Sequence, residues 1–524
     1  MLTNEIVAAA SAGFPVLSVL VWMPLAVAGL IGLCPSPRMA YQVGVLGAAL
    51  ELALAAWVLQ EFTVGTAAMQ FVEHHGIYHL GIDGISALFL PLTALLTLLV
   101  TLHSEAVSEG TRGYLMAIQA FAACMIGAFV SVDLLLFWAF FAAEILPSYY
   151  LITRFGTGEG RMQAARVYLA YMAAASAALL AGFWLLSEHY ASVKGTASFD
   201  LLELATVAVP APLQLTIFAL LCLGLAIKAP IFPFHTWMPR VLEQGPVVGM
   251  SVFLVGVKLG TYGFMRFVIP LLPEASKEYF WVLATLGGIG MVYGALIALV
   301  QTNLRRLLAF ASLSHMGVVM LGVFSLNFSG MQGGLLQMIN LGITGAGLFF
   351  VAGFLTTRLG NPDISSMGGL HHKVPRLALT FLVIGLAGVG MPGTNGFNGE
   401  HLVMMGAFRV HWAMALTVGA GTVLGAAYFL WYYQRAFLGE GNPRTGTMKD
   451  LTRSELVISG AMTAAIFWIG LYTSPFLQTM NGSVQSLATR VEQGSIAATA
   501  TPEPAAPQPA ATADAAPRVA LQRP

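Results

Sequence analysis

The chain runs to 524 residues, 57% hydrophobic and only 9% charged, with 24 basic and 24 acidic side chains and a mean hydropathy of +0.78. A soluble domain carries about 25% charged residues, so this composition excludes an ordinary soluble enzyme. The zero net charge, with no basic patch, speaks against a nucleic-acid partner. Most of the chain has to face lipid or other apolar helices, which indicates an all-α membrane protein.

Met1 to Ala10 carries Glu5 and neither Lys nor Arg, whereas a secretory leader opens with basic residues. The first apolar run, 14–33, is therefore expected to stay as a membrane span. About twenty residues at about 1.5 Å each cross the ~30 Å hydrocarbon core. By that measure further spans fall at 39–60, 85–103, 114–130, 132–153, 164–187, 213–231, 246–271, 280–300, 304–324, 330–357, 377–406, 413–437 and 455–476. Together they predict about fourteen transmembrane helices. Cys34, Cys124 and Cys222 lie in or beside apolar runs without metal-ligand spacing and are expected to be small buried hydrophobes.

Basic residues mark the sides. Arg38, Arg112, Arg154, Arg161, Arg305, Arg306, Arg358, Lys373 and Arg376 all follow odd-numbered spans, against Lys194, Lys277 and Arg409 after even-numbered ones. By the positive-inside rule the odd loops are cytoplasmic and both termini lie on the opposite side. The segment 497–524, rich in Ala and Pro, cannot bury a core and is predicted to be a disordered tail.

Two spans contain helix breakers. The seventh ends in Lys228-Ala-Pro230-Ile-Phe-Pro233-Phe-His235, and the twelfth holds Met391-Pro392-Gly-Thr-Asn395-Gly396-Phe-Asn-Gly399-Glu400. Proline removes a backbone donor and glycine loosens the ladder, so each is predicted to be a broken helix. Such breaks five spans apart suggest inverted repeats. The expected units are 1–113 (helices 1–3), 114–272 (first repeat, helices 4–8), 273–440 (second repeat, helices 9–13), 441–480 (helix 14) and the tail.

An ionisable group inside a bilayer costs at least ~2.5 kcal/mol, so each such residue needs a reason. Glu144 stands alone in the run Leu134 to Pro147 and is a candidate for proton handling or for pairing with a Lys. Lys228 lies at the first break, where desolvation favours release of its proton and a carboxylate restores its charge. Lys258 sits near the middle of the eighth span and suits a relay. Glu400 follows the second break as an exit-side proton site, with His401 beside it. His235 and His315 are possible relay imidazoles, though a lone buried His is as often a core residue. Glu51, Asp83, Asp133 and Arg266 lie nearer span ends, where capping or anchoring is expected. Gly287-Gly-Ile-Gly290 follows no strand and fails as a dinucleotide loop. There is no Walker motif and no His/Cys cluster suggesting haem or metal.

These residues fit a known pattern. The chain resembles the M-type antiporter-like subunits of bacterial NADH–quinone oxidoreductase (respiratory complex I), themselves similar to subunits of Mrp-type Na⁺/H⁺ antiporters. The resemblance spans roughly Leu80 to Arg435. It rests on Leu80-Gly-Ile-Asp83-Gly, Lys228-Ala-Pro with His235-Thr-Trp-Met-Pro239, Gln301-Thr-Asn-Leu-Arg305-Arg-Leu with Ser314-His315-Met-Gly317, Gly368-Gly-Leu, and Leu386 through Glu400. It implies a fourteen-helix fold with a half-channel in each repeat. Glu144 and Lys228 take the place of the family's Glu/Lys pair, Lys258 of its central Lys, and Glu400 of its terminal acid.

The resemblance further implies an inner-membrane translocase subunit that couples quinone reduction to proton pumping. It implies no cofactor in this chain, with NADH, FMN, iron–sulfur clusters and quinone in partner subunits of the membrane-bound complex. Departures stand at Arg240 and Leu242, where the family has an acid and a His, at Leu341, where a His is frequent, and at Asn303, which replaces a common Asp. Rival readings are a subunit of a multisubunit Na⁺/H⁺ antiporter, hydrogenase or inorganic-carbon uptake complex, a free-standing solute permease, and a non-transporting spacer.

Overall fold

Polar caps and prolines decide where the apolar runs become helices. Ser36 accepts from the Met39 amide ahead of Pro37, Asp133 from Leu135 and Leu136, Asn303 from Arg305 and Arg306, and Asn327 from Gly330, while Thr452 and Glu455 form a reciprocal capping box. The computed structural model describes residues 13–104, 110–360, 363–445 and 448–499. The reading of Met1 to Ala10, and that of the tail from 500 onward, lie outside the described residues.

In chain order, α1 (Val16–Leu33) and α2 (Pro37–Glu61) precede an antiparallel hairpin, β1 (Gln70–His75) and β2 (Tyr78–Ile82). Then come α3 (Phe89–His103), α4 (Thr111–Val130), α5 (Leu134–Ala143), α6 (Ile145–Phe155), α7 (Arg161–Lys194), the short α8 (Leu201–Leu204), α9 (Ala211–Lys228) and α10 (Trp237–Gln244). The helix α11 (Met250–Gly263) passes through a π-helical turn, Phe264–Val268, into α12 (Ile269–Leu271). It is followed by α13 (Pro273–Leu299), α14 (Leu304–Val323), α15 (Phe328–Leu359), α16 (Leu370–Lys373), α17 (Pro375–Gly388), α18 (Asn395–Val410), α19 (Trp412–Tyr433), α20 (Arg453–Leu471) and α21 (Ser474–Thr499).

Among the described residues, twelve helical segments are long and apolar enough to cross a membrane, and α3 and α17 are shorter apolar helices at the expected third and twelfth places. Both predicted breaks are present, between α9 and α10 and between α17 and α18. Of the segment Met250–Leu271 every residue but Pro270 is buried, and most of α4, α14 and α15 is buried too. The helices α1, α2, α19 and α20 are outer ones, exposing Trp22, Leu46, Val423 and Trp468 as lipid-facing residues do. All three cysteines are free and buried.

Loops separate onto two faces. On one, Arg112 donates to the Pro35 carbonyl (2.6 Å), the Gly160 amide to Gln244 (3.1 Å), and Arg305 to Thr157 (2.7 Å) and to the Leu242 carbonyl (3.0 Å). On the other, the Val132 amide reaches the His79 carbonyl (2.9 Å), the Leu134 amide the Phe199 carbonyl (2.8 Å), and the Ala275 amide Gln214 (2.6 Å). These are the loops after odd- and even-numbered spans respectively.

Several elements depart from the sequence reading. The hairpin was not foreseen, being too short and polar for a span; its turn is marked by Gly76 at φ +64°. The fifth span is interrupted at Glu144, because Pro147 cannot donate to the Ala143 carbonyl. The expected C-terminal unit ending at 480 cuts through α21, whose start is set by Pro475 after the extended turn at Tyr472 and Thr473. Glu51 is not near a helix end; it is 1% exposed in the middle of α2, with Oε1 unpartnered. Asp133 does cap α5, as expected.

Asp83 and Arg266 are not separate anchors but a buried ion pair, with Arg266 also donating to the Tyr262 hydroxyl (2.9 Å). The pair ties the turn before α3 to the π-helical turn after α11. Removing one partner from a buried pair costs about 3–5 kcal/mol, because the other charge stays enclosed. Asp83→Ala is thus expected to lower the thermal unfolding midpoint of the purified chain; an unchanged midpoint would show the pair to be energetically idle.

Candidate functional site

The α5–α6 interruption turns Glu144 into the protein, where it is 0% exposed. Its carboxylate accepts from Ser148 Oγ (2.6 Å) and the Tyr168 hydroxyl (3.0 Å), and Lys228 Nζ donates to Oε2. Lys228, 1% exposed, is the last residue of α9, where its charge also meets the negative end of the helix dipole. Its ammonium lies 5.2 Å from the centre of the Phe141 ring.

The break beyond Lys228 satisfies its own backbone. Pro230 cannot donate, and the Ile231 amide reaches back to the Ala226 carbonyl (2.9 Å) while Trp237 Nε1 donates to the Ile227 carbonyl (2.9 Å). Helix α11 packs against this end: a Cβ on Gly260 would stand 2.6 Å from the Ala229 amide nitrogen. Only glycine permits that approach. One turn earlier, a Cβ on Gly256 would stand 3.7 Å from Glu144 Oε1, so the carboxylate borders α11 two residues from Lys258.

Lys258 is 3% exposed. It belongs to none of the ion pairs Glu144–Lys228, Asp83–Arg266, His79–Asp200 and Arg358–Glu455. It lines a small cavity of about 40 Å³ with His315, Ser312, Thr344 and Tyr428. His315 Nε2 and the Tyr428 hydroxyl are 3.3 Å apart. The hydroxyls and the imidazole give the cavity polar walls beside the Lys258 amine, as a site for bound water requires. Leu341, one of the departures from the family pattern, also lines this cavity, as do Gly388 and Val389 at the second break.

Glu400 lies just beyond that wall. It is 5% exposed, and Thr422 Oγ1 donates to its Oε2 (3.1 Å). Gly390 holds the break open at φ +73°, and a Cβ there would stand 2.5 Å from Glu400 Oε2. Asn340 Nδ2, on α15, donates to the Asn395 carbonyl at the start of α18 (2.7 Å), and Asn398 Nδ2, on α18, donates to the Gly470 carbonyl near the end of α20 (2.9 Å).

The structure thus joins Glu144 to Lys228, sets both beside α11, places Lys258 and His315 in one cavity, and puts Glu400 at its edge. It leaves two histidines apart from this row. His235 is buried against Phe232 and Tyr293 with Nδ1 unpartnered, and His401 is exposed, stacked on Phe397. Sequence reasoning missed Ser148, Tyr168, Thr422 and Tyr428, which carry no charge. Gln337 and Asn340 left a signal, two of the three side-chain amides in the largely apolar run 330–357.

A family model described as NADH:quinone oxidoreductase/Mrp antiporter, TM, matches residues 131–425. NADH-quinone oxidoreductase subunit M of Mycobacterium tuberculosis is 34% identical over 529 residues, covering 91% of this chain and 95% of that protein. The chain belongs to the NADH:quinone oxidoreductase/Mrp antiporter transmembrane family. A chain of respiratory complex I from Thermus thermophilus superposes with a TM-score of 0.83 at 30% identity, covering 91% of this chain and 99% of that one. A chain of the Mrp complex from Dietzia sp. gives 0.81 at 23% identity over 91% of this chain and 99% of its own, which bears on the fold alone. The family match encloses Glu144, Lys228, Lys258, His315 and Glu400.

Gly390→Ala forces a side chain into a left-handed backbone and onto Glu400, whereas a Cβ on Gly388, also at this family member's second break, meets nothing within 4 Å. Strain of this kind costs about 1–3 kcal/mol. Thermal unfolding should separate the two variants, Gly390→Ala falling and Gly388→Ala holding near wild type; equal midpoints would remove the steric role assigned to Gly390.

Proposed function

We propose that this chain is the proton-translocating, antiporter-like subunit M of an NADH–quinone oxidoreductase in the inner membrane. In this reading it carries no redox centre and moves protons in response to quinone reduction in partner subunits. The observation that supports it most is the row Lys228–Glu144–Lys258–His315–Glu400, enclosed by apolar helices and broken at two places by unwound backbone. Five titratable groups in a protein interior serve no packing purpose that apolar residues would not serve better.

Glu144 and Lys228 act as the switching pair. While they are joined, Lys228 keeps its proton; when Glu144 is drawn toward the α11 side, the unpaired ammonium is favoured to release it. Lys258 and His315 pass the proton through the polar-walled cavity, and Glu400 hands it on. His235 lies apart from this row, and its unpartnered Nδ1 leaves it as a candidate relay only. Odd-numbered loops are cytoplasmic and both termini non-cytoplasmic, following the basic residues.

The repeats are placed at 114–272 and 273–440, flanked by the N-terminal helices of 1–113 and by the C-terminal unit from 441. A structural correspondence supports this. Asp133 caps α5 and forms an isolated bridge with Asp200 beyond α7; Asn303 caps α14 and forms one with Asp363 beyond α15. Each repeat then runs on to a broken helix.

The test is proton transport by the assembled, reconstituted complex, measured against electron transfer. Lys258→Met and Glu144→Gln should each lower the protons moved per electron pair several-fold while the complex still assembles and reduces quinone. An unaltered ratio in both variants contradicts the assignment. Sodium-coupled transport by a complex with no NADH oxidation would favour the Mrp-type antiporter reading instead.

A further inference from the structure

The hairpin holds a group that the proton path does not use. His74 on β1 and His79 on β2 are direct cross-strand partners, and their rings stack with centroids 4.3 Å apart. His79 Nδ1 contacts Asp200 Oδ2. Each of the three residues offers one ligand atom, and these atoms all lie within 4.8 Å of one another. The two histidines are paired by the hairpin register, and Asp200, 121 residues beyond His79, is brought to them by the tertiary fold.

The surrounding backbone holds these side chains in place. The His79 carbonyl accepts from the Val132 amide (2.9 Å), the Leu201 amide donates to the Val132 carbonyl (3.2 Å), and the Leu134 amide to the Phe199 carbonyl (2.8 Å). Asp200 divides its two oxygens: Oδ1 caps α8 through the Leu202 (2.8 Å) and Glu203 (3.3 Å) amides, and Oδ2 is left for the cluster. His79 is buried and His74 exposed, giving a floor and a solvent entrance.

Two imidazoles and one carboxylate are the donor set of an open zinc site, with a fourth position for water; hard cations such as Ca²⁺ and Mg²⁺ take oxygen ligands. We propose that His74, His79 and Asp200 bind one zinc-type divalent transition-metal ion on the face of the even-numbered loops. On binding, His79 presents the Nδ1 lone pair of a neutral imidazole whose proton sits on Nε2; a protonated ring releases its extra proton to bulk water, and the metal stands between Nδ1 and Asp200 Oδ2. The ion then clamps the hairpin that follows α2 to the segment that enters α8, joining the N-terminal helices to the first repeat at the end where Asp133 caps the helix leading to Glu144.

The full-length chain, purified in detergent and stripped with a chelator, is loaded with Zn²⁺ and passed through gel filtration. Bound metal is then counted per chain, and affinity is read by competition with a chromophoric chelator. One equivalent is expected. His74→Ala and Asp200→Asn should weaken it on the order of tenfold or more, and Asn can still cap α8. His75→Ala, which alters the neighbouring exposed histidine outside the cluster, should bind as wild type does. Zinc should raise the unfolding temperature of the wild type and not of His74→Ala. Absence of bound zinc in the wild type, equal affinity in His74→Ala, or an equal loss in His75→Ala overturns the site.

Discussion

A carboxylate and an ammonium shut away from both water and headgroups must neutralise each other or give up their charges. Glu144 and Lys228, 84 residues apart in sequence, meet under that constraint, and much of the local architecture follows from it. Pro147 loosens the helix where Glu144 must turn inward. Pro230 and Pro233 end α9 at Lys228. Gly256 and Gly260 let α11 approach, so the pair is enclosed by backbone and not by lipid. Ser148 and Tyr168 supply the neutral donors that a lone carboxylate–ammonium contact leaves unsatisfied.

The same constraint operates differently further along the row. Lys258 does not belong to the Glu144–Lys228 ion pair and faces a small polar-walled cavity instead. Glu400 has one hydroxyl donor and a glycine-lined break. A paired charge, an amine facing a polar-walled cavity and an acid with one hydroxyl donor differ in how readily each holds a proton. That graded series, and not any single residue, is what the proposed proton path rests on.

How much was legible beforehand follows from the physics of each feature. Span positions came from hydropathy, because lipid imposes a length of apolar sequence. The two main breaks came from proline and glycine, and the four central charges from their cost in the bilayer. The hairpin, the division between α20 and α21, and the interruption at Glu144 did not come through, since each depends on a single Gly or Pro acting in tertiary context. The Asp83–Arg266 pair was unreadable because partners 183 residues apart leave no local pattern. The family resemblance reached the charged residues but not the hydroxyls and amides that hold them.

Stability and transport measured together in one double-mutant cycle test the pair most directly. Glu144→Gln and Lys228→Met, made singly, each leave a buried charge without its counterpart; made together, they leave none. The account predicts that the double variant unfolds closer to the wild-type temperature than either single variant does, while proton transport stays lost in all three. Strictly additive losses of stability, or transport preserved in the double variant, would contradict it.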